Sequence, residues 1–359
     1  MLKRVLILSA LVACAFASDP TSDPATDSST GGETGPQENQ INGVQFLQGL
    51  QSYDRDSTTP SEECVYLNES DIKYYLYTRE KPYGERIESN NSQKLEESAL
   101  NVKKQLKVIV HPWKKNADWT ISLVRDYLYA QNVDVLVADW GLYAKKCSIE
   151  TTSTHVTPFV GESLSYMLRQ MISIGHSGQK MHLIGFSHGA HIAGIAGRLM
   201  APHLPARITA LDPVRLSEIA RPGVGKLTGG DAKFIDVIVT SLPSLSFDNE
   251  IGDVTFYPNG GLTKYQGRCN QKSDEMERMI CGHVLAYRFF AESLVSPKKF
   301  PAIKCESYSK LLSGQCDNQQ PEAHMGEYVE KNVRGKYFLQ TNEKYPFDKG
   351  VAYTKSSSA

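Results

Sequence analysis

Met181-His-Leu-Ile-Gly185-Phe-Ser187-His-Gly189-Ala-His-Ile-Ala-Gly194-Ile-Ala-Gly197 decides how this chain is read. A short apolar run ends in G-x-S-x-G, and a segment crowded with small residues follows. The pattern is that of a strand, a sharp turn and a helix. A serine on such a turn projects its hydroxyl clear of the sheet, and glycine two positions to either side leaves room for the turn. Ser187 is therefore the candidate nucleophile. In a chain with 27 glycines the five-residue pattern alone is weak. An ordinary Gly/Ser turn before a helix is the bland alternative, and the apolar strand and small-residue helix weigh against it.

The segments around this stretch alternate in type. Leu106-Lys-Val-Ile-Val110, Val133-Asp-Val-Leu-Val-Ala138, Ile208-Thr-Ala-Leu211 and Phe234-Ile-Asp-Val-Ile-Val239 read as buried strands. Helical spacing runs over 119–129, over 156–174 and over 284–294. Strands alternating with helices predict an α/β fold: a central, mostly parallel sheet with helices on both faces, its chemistry in loops leaving the strands' carboxyl ends. Cys64-Val-Tyr-Leu and Ile72-Lys-Tyr-Tyr-Leu-Tyr suggest an antiparallel β element before the main run.

A chain of 359 residues can bury one large core. Its net charge of −1 gives no support for a nucleic acid partner. Met1-Leu-Lys-Arg4 followed by an apolar run and Ala15-Phe-Ala17 reads as a secretory signal over 1–17, too short to span a bilayer. No later stretch is apolar for long enough to make a membrane helix, so a secreted, extracellular protein is expected. Residues 18–45 read as a disordered acidic tail: Ser18 to Gln40 holds no Lys or Arg and almost nothing that could offset its ordering entropy. Residues 46–359 are left for a single domain.

A serine hydroxyl needs a general base, and the base needs an acid to fix its tautomer and stabilise the imidazolium. On a sheet with this kind of turn the chain order is Ser, then Asp or Glu, then His. Asp212 lies at the end of the strand Ile208 to Leu211 and before Pro213, where such an acid belongs; local sequence allows an ordinary Asp-Pro turn equally well. Asp139 and Asp236 fit the order less well. Only His283 and His324 lie beyond Asp212. His283, two residues after Cys281 at the start of a helical segment, is the better placed base. His176, His182 and His191 come too early and read as structural. An oxyanion needs two amide donors. The amide of His188 is one, and the loop His111-Pro112-Trp113 offers that of Trp113 as the other.

Removal of the leader would leave Cys64, Cys147, Cys269, Cys281, Cys305 and Cys316, an even count that suits disulfides in an oxidising compartment. None of them has the C-x-x-C spacing of a zinc site, and the reading requires neither metal nor cofactor. Asn68-Glu-Ser and Asn90-Asn-Ser are glycosylation sequons.

With these residues placed, the chain resembles the pancreatic lipase family of the α/β-hydrolases, in particular its short secreted insect members and phospholipase A1 relatives. The stretches that carry the resemblance are His182-Leu-Ile-Gly-Phe-Ser-His-Gly-Ala-His191, Ile208-Thr-Ala-Leu-Asp-Pro213, Asp231-Ala-Lys-Phe-Ile-Asp-Val-Ile-Val239, Phe256-Tyr-Pro-Asn-Gly-Gly261 and Cys281-Gly-His283-Val-Leu-Ala-Tyr287. The resemblance implies an α/β-hydrolase fold without a C-terminal β-sandwich. It implies a triad of Ser187, Asp212 and His283, oxyanion amides at Trp113 and His188, and lipid esters as substrates, met at a membrane or lipid interface. It also implies disulfides pairing Cys64 with Cys147, Cys269 with Cys281 and Cys305 with Cys316.

In such enzymes a disulfide-bounded lid precedes the histidine. Here Cys269 and Cys281 would bracket only Asn270 to Ile280, short and mostly polar, which leans toward phospholipase A1-like or general carboxylester hydrolysis. One departure stands out: the family's His-Gly-Trp or His-Gly-Phe is His111-Pro112-Trp113 here, and proline fixes φ near −65° where glycine is free. Phe186 and His188 also replace the histidine and leucine usual beside the serine. Two functions follow as expectations. One is a secreted serine carboxylester hydrolase acting on lipid esters as a phospholipase A1-like enzyme or neutral lipase. The other is a catalytically impaired, yolk-protein-like lipid carrier on the same scaffold. The filled triad favours the first, and Pro112 pulls toward the second.

Overall fold

The computed structural model describes residues 64, 66–89, 91–216, 225–246, 251–296 and 299–353. The leader, the acidic tail and Asn90 lie outside these residues. Within them the strands are β1 (Lys73–Tyr77), β2 (Glu85–Ile87), β3 (Gln105–Val110), β4 (Val133–Asp139), β5 (Met181–Phe186), β6 (Arg207–Leu211), β7 (Ile235–Ile238), β8 (Val254–Pro258), β9 (Pro301–Lys304), β10 (Ala323–His324) and β11 (Gly335–Leu339). They form one sheet in the order β10-β9-β11-β8-β7-β6-β5-β3-β4-β1-β2. From β4 across to β11 every pairing is parallel. β1 is antiparallel to β2 and β4, and β9 is antiparallel to β11 and β10. Among the described residues no second sheet packs on this one.

The chain steps outward from β3 to β4 and then returns to β5 on the other side of β3. This reversal opens a crevice between the carboxyl ends of β3 and β5, where open parallel sheets bind their ligands. The turn after β5 carries Ser187, and the loop after β3 carries His111-Pro112-Trp113.

Among the described residues the long helices that cover the sheet are α1 (Ile121–Ala130), α2 (Thr157–Ser173), α3 (His188–Leu199) and α4 (Glu275–Val295). Side chains of a strand alternate between faces, and the two cores follow that alternation. Leu106, Val108 and Val110 of β3 and Leu183 of β5 pack with Val160 and Leu164 of α2 and Ile192 and Ala196 of α3. On the other face Ile109 and Ile184 pack with Leu123 and Tyr127 of α1 and Leu285, Phe289 and Phe290 of α4. Small residues let α2 and α3 approach closely; a Cβ on Gly161 would lie 2.6 Å from Ile195 Cγ2.

The α1/α4 face also buries a row of polar side chains on β3, β5, β6 and β7. Lys107 Nζ donates to Glu327 Oε1 at 2.6 Å, and Arg207 grips both oxygens of Asp236 at 2.7 and 2.9 Å. Tyr127 donates to the second Glu327 oxygen at 2.7 Å, and Arg207 also donates to the backbone oxygens of Gly326 and Glu327. Desolvation alone would raise the Glu327 carboxyl, but Lys107 and Arg207 overcome it and hold its pKa below the usual range. Breaking one partner of such a buried set costs about 3–5 kcal/mol. It pins the loop after β10 beneath the sheet.

Two expectations change in detail. Cys64, Tyr66 and Leu67 do not lie in a strand; Asn68 caps a short 3-10 turn over Glu69–Asp71 by accepting from Ser70 N. The helix expected from Val284 begins at Glu275, where Asp274 accepts from Glu277 N at 2.9 Å and acidic residues suit the first turn. His283 therefore sits inside a helix, not at its start. His324 is in a strand, β10, and its Nδ1 faces Glu330 Oε1 at 2.7 Å.

Candidate active site

Ser187 takes φ 59° and ψ −122°, a strained left-handed conformation for a residue with a side chain. The two glycines exist for space. A Cβ on Gly185 would lie 2.2 Å from Gly189 O, and one on Gly189 would lie 2.3 Å from Val110 O. Ser187 N donates to Leu211 O at 3.0 Å, tying the turn to the end of β6. Phe186 and Leu211 are register partners, so Ser187 and Asp212 each lie one residue beyond a paired strand end.

Asp212 is fully buried, also at positive φ (41°). Its Oδ1 accepts from Thr240 N at 2.7 Å and from Ser246 Oγ at 2.6 Å, while Oδ2 accepts from Ser241 Oγ. Oδ2 also meets His283 Nδ1 at 2.5 Å. With Nδ1–H donated to this carboxylate, Nε2 of His283 carries the lone pair. That is the tautomer a general base requires. Ser187 and His283 share no hydrogen bond among the described residues; they are brought together through Phe186, whose ring centroid is 4.5 Å from that of His283.

The loop after β3 is held from behind. Trp140 Nε1 donates to His111 O at 2.9 Å, Trp140 N donates to His111 Nε2 at 3.1 Å, and the two rings stack with centroids 5.1 Å apart. Nδ1 of His111 lies 2.9 Å from Pro112 O, and its Nε2 also lies 3.2 Å from Asp139 Oδ1. The positive φ in this loop falls at Lys114 (61°), beyond Trp113. The Trp113 indole donates to Cys147 O at 3.1 Å, but its amide, like that of His188, donates to no other described residue.

Two neighbouring histidines are kept neutral by burial. His188 is pushed down to about 3 by desolvation, with His191 and His283 adding to the effect, and its Nε2 lies 3.2 Å from Ser153 Oγ. His191 is pushed down to about 4; its Nε2–H donates to Val214 O at 2.7 Å and its Nδ1 accepts from Leu227 N at 3.1 Å. It thus steadies the chain that follows Asp212. His182 and Asp236 belong to the buried polar row, and Asp139 accepts from the amides of Ala117 and Gly141.

The sulfurs of Cys64 and Cys147, of Cys269 and Cys281, and of Cys305 and Cys316 are bonded. The segment between Cys269 and Cys281 contains the first turns of α4, and its Met276 and Met279 pack with Trp113, Ile149 and Leu245. The apolar wall they form reaches the serine turn through Trp113, whose ring centroid is 6.3 Å from that of His188, although the segment is mostly polar. Among the described residues no group of three or more His, Cys, Asp or Glu side chains could hold a metal ion. No helix among them is long and apolar enough to cross a membrane. Sequence reading missed Ser241 and Ser246, the donors around Asp212, and the packing of Phe186 on His283. Nothing in a serine-bearing loop marks it as a carboxylate's cradle.

The parallel sheet, the reversal at β3 and the serine turn after β5 define an α/β-hydrolase fold. The Lipase family model matches residues 50–347, and the chain belongs to that family. It is 30% identical over 319 residues to inactive pancreatic lipase-related protein 1 of Homo sapiens, covering 79% of this chain and 67% of that protein. Lipase member H of Oryctolagus cuniculus is 30% identical over 276 residues, 74% of this chain and 59% of that one. Pancreatic triacylglycerol lipase of Myocastor coypus is 27% identical over 263 residues, 68% of this chain and 57% of that one. The chain thus spans 57–67% of the length of these relatives.

Proposed function

We propose that this protein is an exported carboxylic ester hydrolase acting on lipid esters, phospholipase A1-like or of broader ester range. Ser187 Oγ attacks the acyl carbonyl while His283 Nε2 takes its proton, and the carbonyl electrons move onto oxygen. The amides of Trp113 and His188 receive that oxyanion. Collapse expels the alcohol, which leaves with the proton from His283. Water then repeats the sequence on the acyl-enzyme, releasing the fatty acid and restoring Ser187. Asp212 holds His283 in its tautomer and stabilises the imidazolium that forms. Lipid as the acyl donor follows from the Lipase family and suits the apolar wall of Trp113, Ile149, Leu245 and Met279.

The observation that carries this reading is the buried Asp212 bound to His283 Nδ1 at 2.5 Å, beside a serine held at positive φ. A lipid carrier on the same scaffold is the second reading, favoured by Pro112 in the oxyanion loop. The two separate under a fluorophosphonate probe. The wild-type protein should be labelled and Ser187→Ala should not; a folded wild type that takes no label supports the carrier.

A further inference from the structure

The general base is gripped on two sides, and only one grip belongs to the triad. Asp212 holds the Nδ1 edge of His283. Phe186 lies against its face, with ring centroids 4.5 Å apart and planes inclined by 35°. Trp119 stacks behind Phe186 at 5.4 Å and 13°, and Tyr287 braces Trp119 at 4.2 Å. The Tyr287 hydroxyl in turn meets Ser122 Oγ at 3.3 Å. Phe186 precedes the nucleophile directly, so the turn that aims Ser187 also sets this ring.

We propose that Phe186 is a positioning residue for His283, which fixes the plane of the imidazole and stabilises the imidazolium through its aromatic face. This rests on the catalytic reading of Ser187 and His283 given above. Nδ1 on Asp212 acts as a pivot, about which the ring could still swing; the Phe186 face removes that freedom. When Ser187 Oγ bonds to the acyl carbon, its proton passes to Nε2 and the ring becomes a cation. A cation within about 6 Å of an aromatic centroid is attracted by the negative face of the ring, most strongly where water is excluded. Among the described residues, the Asp212 carboxylate at the end of β6 and the neutral His188 on α3 face His283. The carboxylate is the only formal charge of the two, and Phe186 adds to its effect at the face of the ring.

Phe186→Leu keeps an apolar side chain but removes the aromatic face. Fluorophosphonate labelling at the pH optimum should slow by about 3- to 30-fold. The midpoint of its acid limb, where His283 loses its proton, should fall by roughly half a pH unit or more. An NMR titration of the His283 ring should move in the same direction and requires no catalysis. Phe186→Met is measured alongside, so that a melted leucine variant does not decide the matter. A folded variant that labels at the wild-type rate with an unmoved midpoint overturns the proposal. So does a slower variant whose labelling midpoint and NMR titration both stay in place, since that is what loose packing alone would give. A wild type that never labels but whose His283 titration shifts in Phe186→Leu overturns the hydrolase reading and leaves the stacking intact.

Discussion

Gly189→Ala tests the geometry of the serine turn at its tightest point. The added methyl would lie 2.3 Å from Val110 O and 2.9 Å from His111 O, against about 3.4 Å for ordinary contact. Both atoms are backbone, so no side chain can swing aside. Either α3 moves off the sheet or the end of β3 moves away from α3. Overpacking of this kind costs about 1–3 kcal/mol, which for a domain of this size lowers the melting temperature by roughly 2 to 5 °C. The displaced end of β3 leads straight into His111-Pro112-Trp113, so the Trp113 amide shifts with it. If that amide is an oxyanion donor, labelling and ester turnover fall by about 10²- to 10³-fold. Gly229→Ala is the control, since its Cβ would meet only Ile251 O at 3.6 Å and its φ is not positive. Stopped-time fluorophosphonate labelling and a thermal melt, run on both variants, give the two readings. A Gly189→Ala protein that melts and labels like Gly229→Ala would refute the packing argument.

Acid should destabilise the fold through its buried histidines. His188 and His191 have values near 3 and 4 in the folded chain against an ordinary 6.5, so the unfolded chain binds protons that the folded one refuses. Their contribution is complete above 6.5 and is lost as pH falls toward 4 and then 3, by up to about 1.4 kcal/mol per pH unit for each histidine. Urea midpoints measured from pH 7 to pH 4 should drop steeply, and less steeply in His188→Leu; equal slopes would contradict the assignment. Pro112→Gly should label no faster than wild type and lose about 0.4–1 kcal/mol of stability as the unfolded chain gains freedom. A tenfold faster label would mean that the proline misdirects the Trp113 amide.

The residues legible in the sequence are those whose chemistry is local. The serine turn announces itself because strand, turn and helix are contiguous and because each glycine answers a backbone contact that leaves no room for a methyl. Asp212 and His283 were legible through chain order and their places beside a strand end and a cysteine. The long reach of α4 was not, because its first turns are polar outward and carry only Met276 and Met279 inward. Strands β8 to β11 were missed for a related reason: β10 has two residues, and the others pair with partners remote in sequence. The partners of Lys107, Arg207 and Asp236 could not be read either, because each is a charged side chain on a separate strand that finds its counter-charge only once the sheet is assembled.

The same division bears on whether Pro112 decides between enzyme and carrier. Loss of one oxyanion donor costs about 10²- to 10³-fold, whereas loss of the nucleophile or base in a triad costs about 10⁶-fold. A misaimed Trp113 amide would leave a slow enzyme whose serine still reacts, because His283 remains bound to Asp212 and the His188 amide remains at the head of α3. A carrier would instead have an unreactive serine. The absence of a Ser187–His283 hydrogen bond does not tip the balance, since such contacts often close only around substrate. Reactivity of Ser187, not the rate on any one ester, is therefore the property that separates the two.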